Sequence, residues 1–186
     1  MIRIIKIGGK LIENDAVLNG LCDELSACYR DSVLVHGGGS MAGQLSARLG
    51  IRTRMIDGRR ITGVLAGLLH RQVMPVISPI TYDGAGQLLN TNADSVAGAV
   101  AVALSRIDDT ELIFCFDKPG VLLDVNDADS VIPVLDKEKY AGYLEQGAIH
   151  AGMIPKLDNA FKTIKAGVKS VRLTDPCHLD GGTVLR

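Results

Sequence analysis

Two short apolar runs in this chain each end abruptly in glycine. IRIIKI (2–7) leads straight into Gly8-Gly9, and SVLV (32–35) leads into His36-Gly37-Gly38-Gly39. An apolar run without alternation reads as a strand buried on both faces, the mark of a parallel sheet. After the first run, Val17, Leu18, Leu21, Leu25 and Cys28 recur at helical spacing over 14–29. After the second, Ser40 offers an N-cap to a helix carrying Leu45 and Leu49 one turn apart. Strand, glycine turn and helix thus follow one another twice, and few folds accept that order. The pattern continues with a strand at VMPVISP (73–79), a hairpin at TYDGAGQ (81–87) and a helix over 92–105. ELIFCF (111–116) predicts another strand, Lys118-Pro119-Gly120 a turn and 137–146 a helix. A last helix opens at Met153-Ile154-Pro155, and 169–174 closes the series as a strand. The expectation is one α/β domain over 1–186, with a mostly parallel sheet covered on both faces.

Composition removes several function classes. A net charge of −1 leaves no electrostatic footprint for nucleic acid or an anionic membrane. Aromatic residues are 4% with no Trp, which removes stacking platforms for single strands. Lys6 interrupts the apolar opening, and the longest apolar stretch, AGAVAVAL (97–104), is too short to span a bilayer. A soluble cytoplasmic protein is expected, with neither nucleic-acid nor membrane partners. Cys22, Cys28, Cys115 and Cys177 show no CxxC or zinc-ligand spacing. They read as buried reduced thiols, and no metal site is expected among the side chains.

The chemistry gathers where strands end. Glycine lets successive backbone N–H groups point into one concavity, and a following helix adds positive dipole, so Gly8, Gly9, Gly37 and Gly38 suit phosphate oxygens. Tight βα turns without a ligand are the plainer alternative. His36-Gly37-Gly38-Gly39 also resembles an esterase oxyanion loop, but the chain has no G-x-S-x-G elbow. Gly37, Gly39 and Ala42, with Asp57 further on, fit a short dinucleotide pattern. Lys6 stands inside an apolar strand, so its ammonium either meets an anion or lies at a sheet edge. Lys156 sits in the first turn of a helix, where the dipole disfavours a cation unless a negative ligand shares the place. Asn90, Asn92 and Asp94 open the helix after the hairpin, where they serve either as caps or as ligand contacts. Asp117 follows ELIFCF directly and reads equally as a turn residue or a crevice residue.

Taken in order, the stretches KIGGK (6–10), VHGGGSMAGQL (35–45), GRRIT (58–62), VMPVISPI (73–80), LNTNADSVAGAVAVAL (89–104), FDKPGVL (116–122) and AGMIPKL (151–157) resemble the amino-acid kinase family. Within it they look most like the N-acetylglutamate kinases of Bacteroidetes type. The resemblance implies a three-layer αβα sandwich and ATP-dependent phosphorylation of the γ-carboxylate of N-acetyl- or N-succinyl-L-glutamate, a step of arginine biosynthesis. It implies ATP with Mg²⁺, the metal held mostly by phosphate oxygens, and a homodimer. Lys6 and Lys156 would neutralise charge at the transferring phosphoryl group, with Asp94 orienting both. Gly8, Gly9, Gly37 and Gly38 would supply backbone donors. Arg60, Asn90 and Asn92 would hold the acyl-glutamate, and Asp117 would lie on the nucleotide side. Another phosphotransferase of the same family, or a binding-only pseudo-kinase, is the alternative.

The chain departs from the family in three places. Lys118 stands where Val is common, and Ala151 where Gly or Asp is usual. The larger departure lies after Thr62, where roughly 70 family residues are absent, far beyond ordinary loop variation. The expected division is an acyl-glutamate-binding part over 1–62 and a remainder with the nucleotide-binding part over 63–186. Two readings stand at that junction: an internally deleted kinase, or a longer protein lacking an internal segment here.

Overall fold

The computed structural model describes residues 1–38, 62–83, 85, 87–149 and 152–186. Arg60 and the helix expected after Ser40 lie outside the described residues. The chain begins with β1 (Ile2–Ile7), the single turn α1 (Gly9–Ile12), α2 (Asp15–Cys28) and β2 (Ser32–His36). Next come α3 (Thr62–His70), β3 (Val76–Ile77), the pair β4 (Ile80–Tyr82) and β5 (Leu88–Asn90), and α4 (Ala93–Leu104). The last part holds β6 (Thr110–Cys115), β7 (Val134–Leu135), α5 (Lys137–Glu145), α6 (Ile154–Lys165), β8 (Ser170–Thr174) and β9 (Thr183–Leu185).

Among the described residues seven strands form one sheet in the order β3-β2-β1-β6-β8-β9-β7, with β4 and β5 apart as an antiparallel pair. The first five run parallel, and β9 and β7, parallel to each other, run antiparallel to them. Register sets the geometry of the site. Ile7 lies opposite both His36 and Cys115, and Cys115 lies opposite Thr174, so four parallel strands end in one row. The turns that follow them share one edge of the sheet, the usual ligand edge of such folds.

Strand periodicity divides the core. Ile5 and Ile7 of β1, with Ile113 and Cys115 of β6, pack against Leu21 and Leu25 of α2. Ile4, Leu112 and Leu173 face the other way, toward Val96, Ala97, Val100, Ala101 and Leu104 of α4 and Leu157, Ala160 and Phe161 of α6. Helices therefore cover both faces, and the three-layer αβα sandwich is the observed architecture. Alternation puts Lys6 on the face of Ile4, beneath α4 and α6 rather than α2. At the other end of the sheet, the buried Glu111 accepts from Nε of Arg172 at 2.9 Å and lies 3.5 Å from Nε of Arg3. Arg172 also donates to the carbonyls of Asp180 and Gly181, tying the last loop to the sheet.

The glycine turns touch. A Cβ added at Gly37 would lie 2.6 Å from the backbone nitrogen of Gly9, and the Gly37 N–H donates to the carbonyl of Ile7 at 2.9 Å. Gly37 is thus required by a close backbone approach, not by an unusual dihedral.

Several expectations need correction. The strand over 73–79 shrinks to Val76–Ile77, because Pro75 and Pro79 lack the N–H a ladder needs. Pro75 contributes only its carbonyl, which accepts from Leu34 at 2.9 Å. β7 and β9, of two and three residues, are too short to leave a periodic signal. Of the four free cysteines only Cys115 is buried; Cys22 is exposed, and Cys28 and Cys177 are partly covered. Among the described residues no helix is long and apolar enough to cross a membrane. α3 begins at Thr62, so the junction at which the sequence changes character falls at the first two residues of that helix.

Two measurements test this packing. Gly37→Ala forces apart two backbone segments, so it is expected to lower stability by about 1–3 kcal/mol. Gly63→Ala, with nothing within 4 Å of the new methyl, is expected to be neutral or stabilising in denaturant unfolding. The second concerns Tyr140, whose hydroxyl donates to Asp158 at 2.9 Å and whose ring lies 5.3 Å from that of Phe161. Burial, then the bond to Asp158, pushes its phenol up to about 12. The unfolded phenol ionises near pH 10, so the stability held by the neutral form is whole below that pH and is lost as pH rises through the folded value. The difference in unfolding free energy between wild type and Tyr140→Phe should shrink between about pH 10 and 12; a constant difference contradicts the assignment.

Candidate active site

Lys6 reaches the ligand edge of the sheet because β1 carries it there one residue before the row at which the strands end. Its Nζ lies 2.6 Å from Oδ1 of Asp94, and the two side chains are 15% and 36% exposed. Asp94 stands in the first turn of α4, where a carboxylate complements the helix dipole. Asn92 fixes that turn: its Oδ1 accepts from the N–H groups of Asp94 at 2.8 Å and Ser95 at 3.4 Å. The Lys6 ammonium also approaches the first glycine turn, 4.0 Å from where a Cβ of Gly8 would stand.

Lys156 comes from the far end of the chain. Pro155 opens α6 with its preset φ, and Lys156 follows in the first turn. Its Nζ sits 4.8 Å from the centroid of the Phe116 ring. Lys6, Asp94 and Lys156 line one cleft with Phe114, Phe116 and Leu173, and Cys115 and Asn159 also reach it. Burial pushes the Cys115 thiol up to about 12, against the pull of the Lys6 charge, so it is a protonated wall group and not a nucleophile.

The structure therefore brings together Lys6, Asp94 and Lys156, with Gly8, Gly9 and Gly37 beside them. Gly38, half-buried, follows Gly37 directly. Asp94 pairs with Lys6; Lys156, expected to share that carboxylate, rests on the Phe116 ring instead and forms no ion pair among the described residues. Asn92 acts as the cap, its oxygen committed to the helix, and Asn90 ends β5 two residues earlier. Asp117 is exposed and does not line the cleft. Arg60 lies outside the described residues. Phe116 and Asn159 were not singled out by sequence reasoning. Phe116 looked like the last core residue of ELIFCF, whereas Asn159 could have been found from its i+3 spacing to Lys156 on one helix.

The arrangement offers two ammonium groups, a helix N-terminus and two glycine turns around one small cleft. It can neutralise and align an anionic, phosphate-bearing ligand. Among the described residues no three His, Cys, Asp or Glu side chains gather as a metal site.

The protein-family model described as the amino acid kinase family matches residues 1–64 and 57–175. The acetylglutamate kinase of Bacteroides fragilis is 36% identical over 252 residues, covering 100% of this chain and 97% of that protein. That alignment is 66 positions longer than the 186 residues present, and the two family matches meet at 57–64. Among solved structures, N-acetylglutamate synthase from Neisseria gonorrhoeae superposes with a TM-score of 0.74 at 15% identity, covering 98% of this chain and 58% of that one. Giardia carbamate kinase superposes at 0.63 with 13% identity, covering 99% and 98%. These structural likenesses concern the fold alone. The family match and the full-length relative place the chain in the amino acid kinase family.

Proposed function

We propose that the protein transfers the γ-phosphoryl group of ATP to the γ-carboxylate of an N-acyl-L-glutamate, forming the acyl phosphate used in arginine biosynthesis. The observation that carries this reading is the convergence of Lys6 and Lys156, from opposite ends of the chain, on one cleft beside the glycine turns. The acetylglutamate kinase named as its relative gives the substrate class.

The nucleophile is a carboxylate, ionised at neutral pH, so the reaction needs no general base. Phosphoryl transfer is chiefly positioning and charge neutralisation. Lys6, set in place by Asp94, neutralises charge at the transferring group, and Lys156 does so from the α6 side. Gly8, Gly9 and Gly38 contribute backbone N–H donors to phosphate oxygens, whereas Gly37, expected to do the same, has its N–H committed to the carbonyl of Ile7 and serves by letting the two turns approach. Asn90 and Asn92 are assigned to holding the acyl-glutamate, the role the resemblance also gives Arg60, and Asp117 to the nucleotide side. Mg²⁺ enters as part of the MgATP substrate, held by phosphate oxygens, since Asp94 is already tied to Lys6. A cytoplasmic homodimer belongs to the same reading; the exposed Val73 and Val76 at the β3 end of the sheet support association.

The 66 alignment positions without a residue here favour a second reading, a protein that binds these ligands without turning them over. A coupled ADP-release assay with N-acetyl- and N-succinyl-L-glutamate separates the two. The expected result is turnover with one of them, reduced on the order of 10²–10³-fold by Lys6→Met or Lys156→Met in folded protein. Near-wild-type turnover in both variants contradicts the site. Ligand binding without turnover in the wild type establishes the second reading.

A further inference from the structure

The two site lysines are held in physically different ways. Lys6 is matched by a carboxylate at 2.6 Å, whereas Lys156 stands over an aromatic face at 4.8 Å. We propose that Phe116 is a positioning residue that holds the Lys156 ammonium over the cleft while leaving its whole positive charge available to an incoming polyphosphate.

Lys156 needs such a hold. It sits in the first turn of α6, where the helix dipole repels a cation, and its four-carbon stem has many rotamers. A carboxylate partner would fix it but would also cancel its charge and compete with phosphate oxygens. The face of a phenyl ring carries the negative side of a quadrupole, attracts an ammonium within about 6 Å of its centroid and brings no net charge. Phe116 is itself immobilised. Its side chain is 8% exposed within the core cluster that includes Leu112, Leu157 and Leu173, and its N–H donates to the carbonyl of Thr174 at 3.0 Å. The ring is thus anchored to the end of β6, and the mobile cation is referred to the sheet through it. The division of labour follows: the Lys6–Asp94 pair is close to neutral before ligand arrives, and Lys156 is the uncommitted charge that the nucleotide meets.

This inference rests on the phosphoryl-transfer reading for its functional consequence but not for its geometry, and the test keeps the two apart. In isotope-labelled protein, with the Lys156 signals assigned from Lys156→Arg, the ε-methylene protons should lie upfield of those of other lysines and return to them in Phe116→Leu. Replacing Phe116 by mono-, di- and trifluorophenylalanine keeps the ring's shape but weakens its quadrupole step by step. kcat for ADP release should fall in the same order, by about 3- to 30-fold overall, with Phe116→Tyr near wild type. Unshifted Lys156 protons, or a kcat flat across the fluorinated series, overturn the proposal. If the wild type forms no ADP with either acyl-glutamate, the reading of function fails, and the Lys156 resonances still decide this inference.

Discussion

An ammonium group set within a parallel sheet is tolerated only if charge meets it, and the Lys6–Asp94 pair satisfies that demand. The pair fixes more than itself. It couples β1, in the middle of the sheet, to the first turn of α4, the helix that covers the face carrying Ile4 and Leu112. Asn92 sets the angle at which Asp94 enters, and the alternation of β1 sends Lys6 toward that helix and away from α2. The pair lines the cleft, so its charge lies where an anionic ligand can meet it.

Much of this was legible in the residues. Apolar runs ending in glycine gave β1 and β2 with little error, and Asn92 caps its helix as one of its two readings expected, while the caps at Asn14 and Asp136 emerge only in the structure. Lys6 stood out because it interrupts an apolar run, a local conflict of the kind that marks functional positions. What stayed hidden was set by tertiary context. Pro75 and Pro79 shortened β3, and β7 and β9 are paired by their neighbours, not by propensity. Phe116 was invisible as a site residue because an aromatic at the end of a strand looks the same whether it fills a core or carries a cation. The contact between Lys156 and the Phe116 ring stayed hidden for a related reason: the resemblance names a carboxylate for both lysines, and sequence says nothing about ring faces.

The junction at Thr62 gives the architecture its tension. Seven strands, both covering layers and the lysine cleft are present within 186 residues, yet the alignment to a full-length relative needs 66 more positions. α3 begins at the junction and turns Leu65 into the core while Val64 stands 68% exposed. The strand ends and helix starts that position charge at the ligand edge all lie away from that junction. The site is built from strand ends and helix starts, which the register of the sheet holds in place.

Hydroxylamine trapping tests the central claim, that this edge of the sheet makes an acyl phosphate, more directly than any rate. An acyl phosphate is captured as the hydroxamate, whereas simple ATP hydrolysis leaves none. Incubation of the purified protein with MgATP, N-acetyl- or N-succinyl-L-glutamate and hydroxylamine should yield acyl-glutamyl hydroxamate in proportion to ADP. Omission of the acyl-glutamate should abolish it. ADP release without hydroxamate, or no reaction with either acyl-glutamate, would contradict the account.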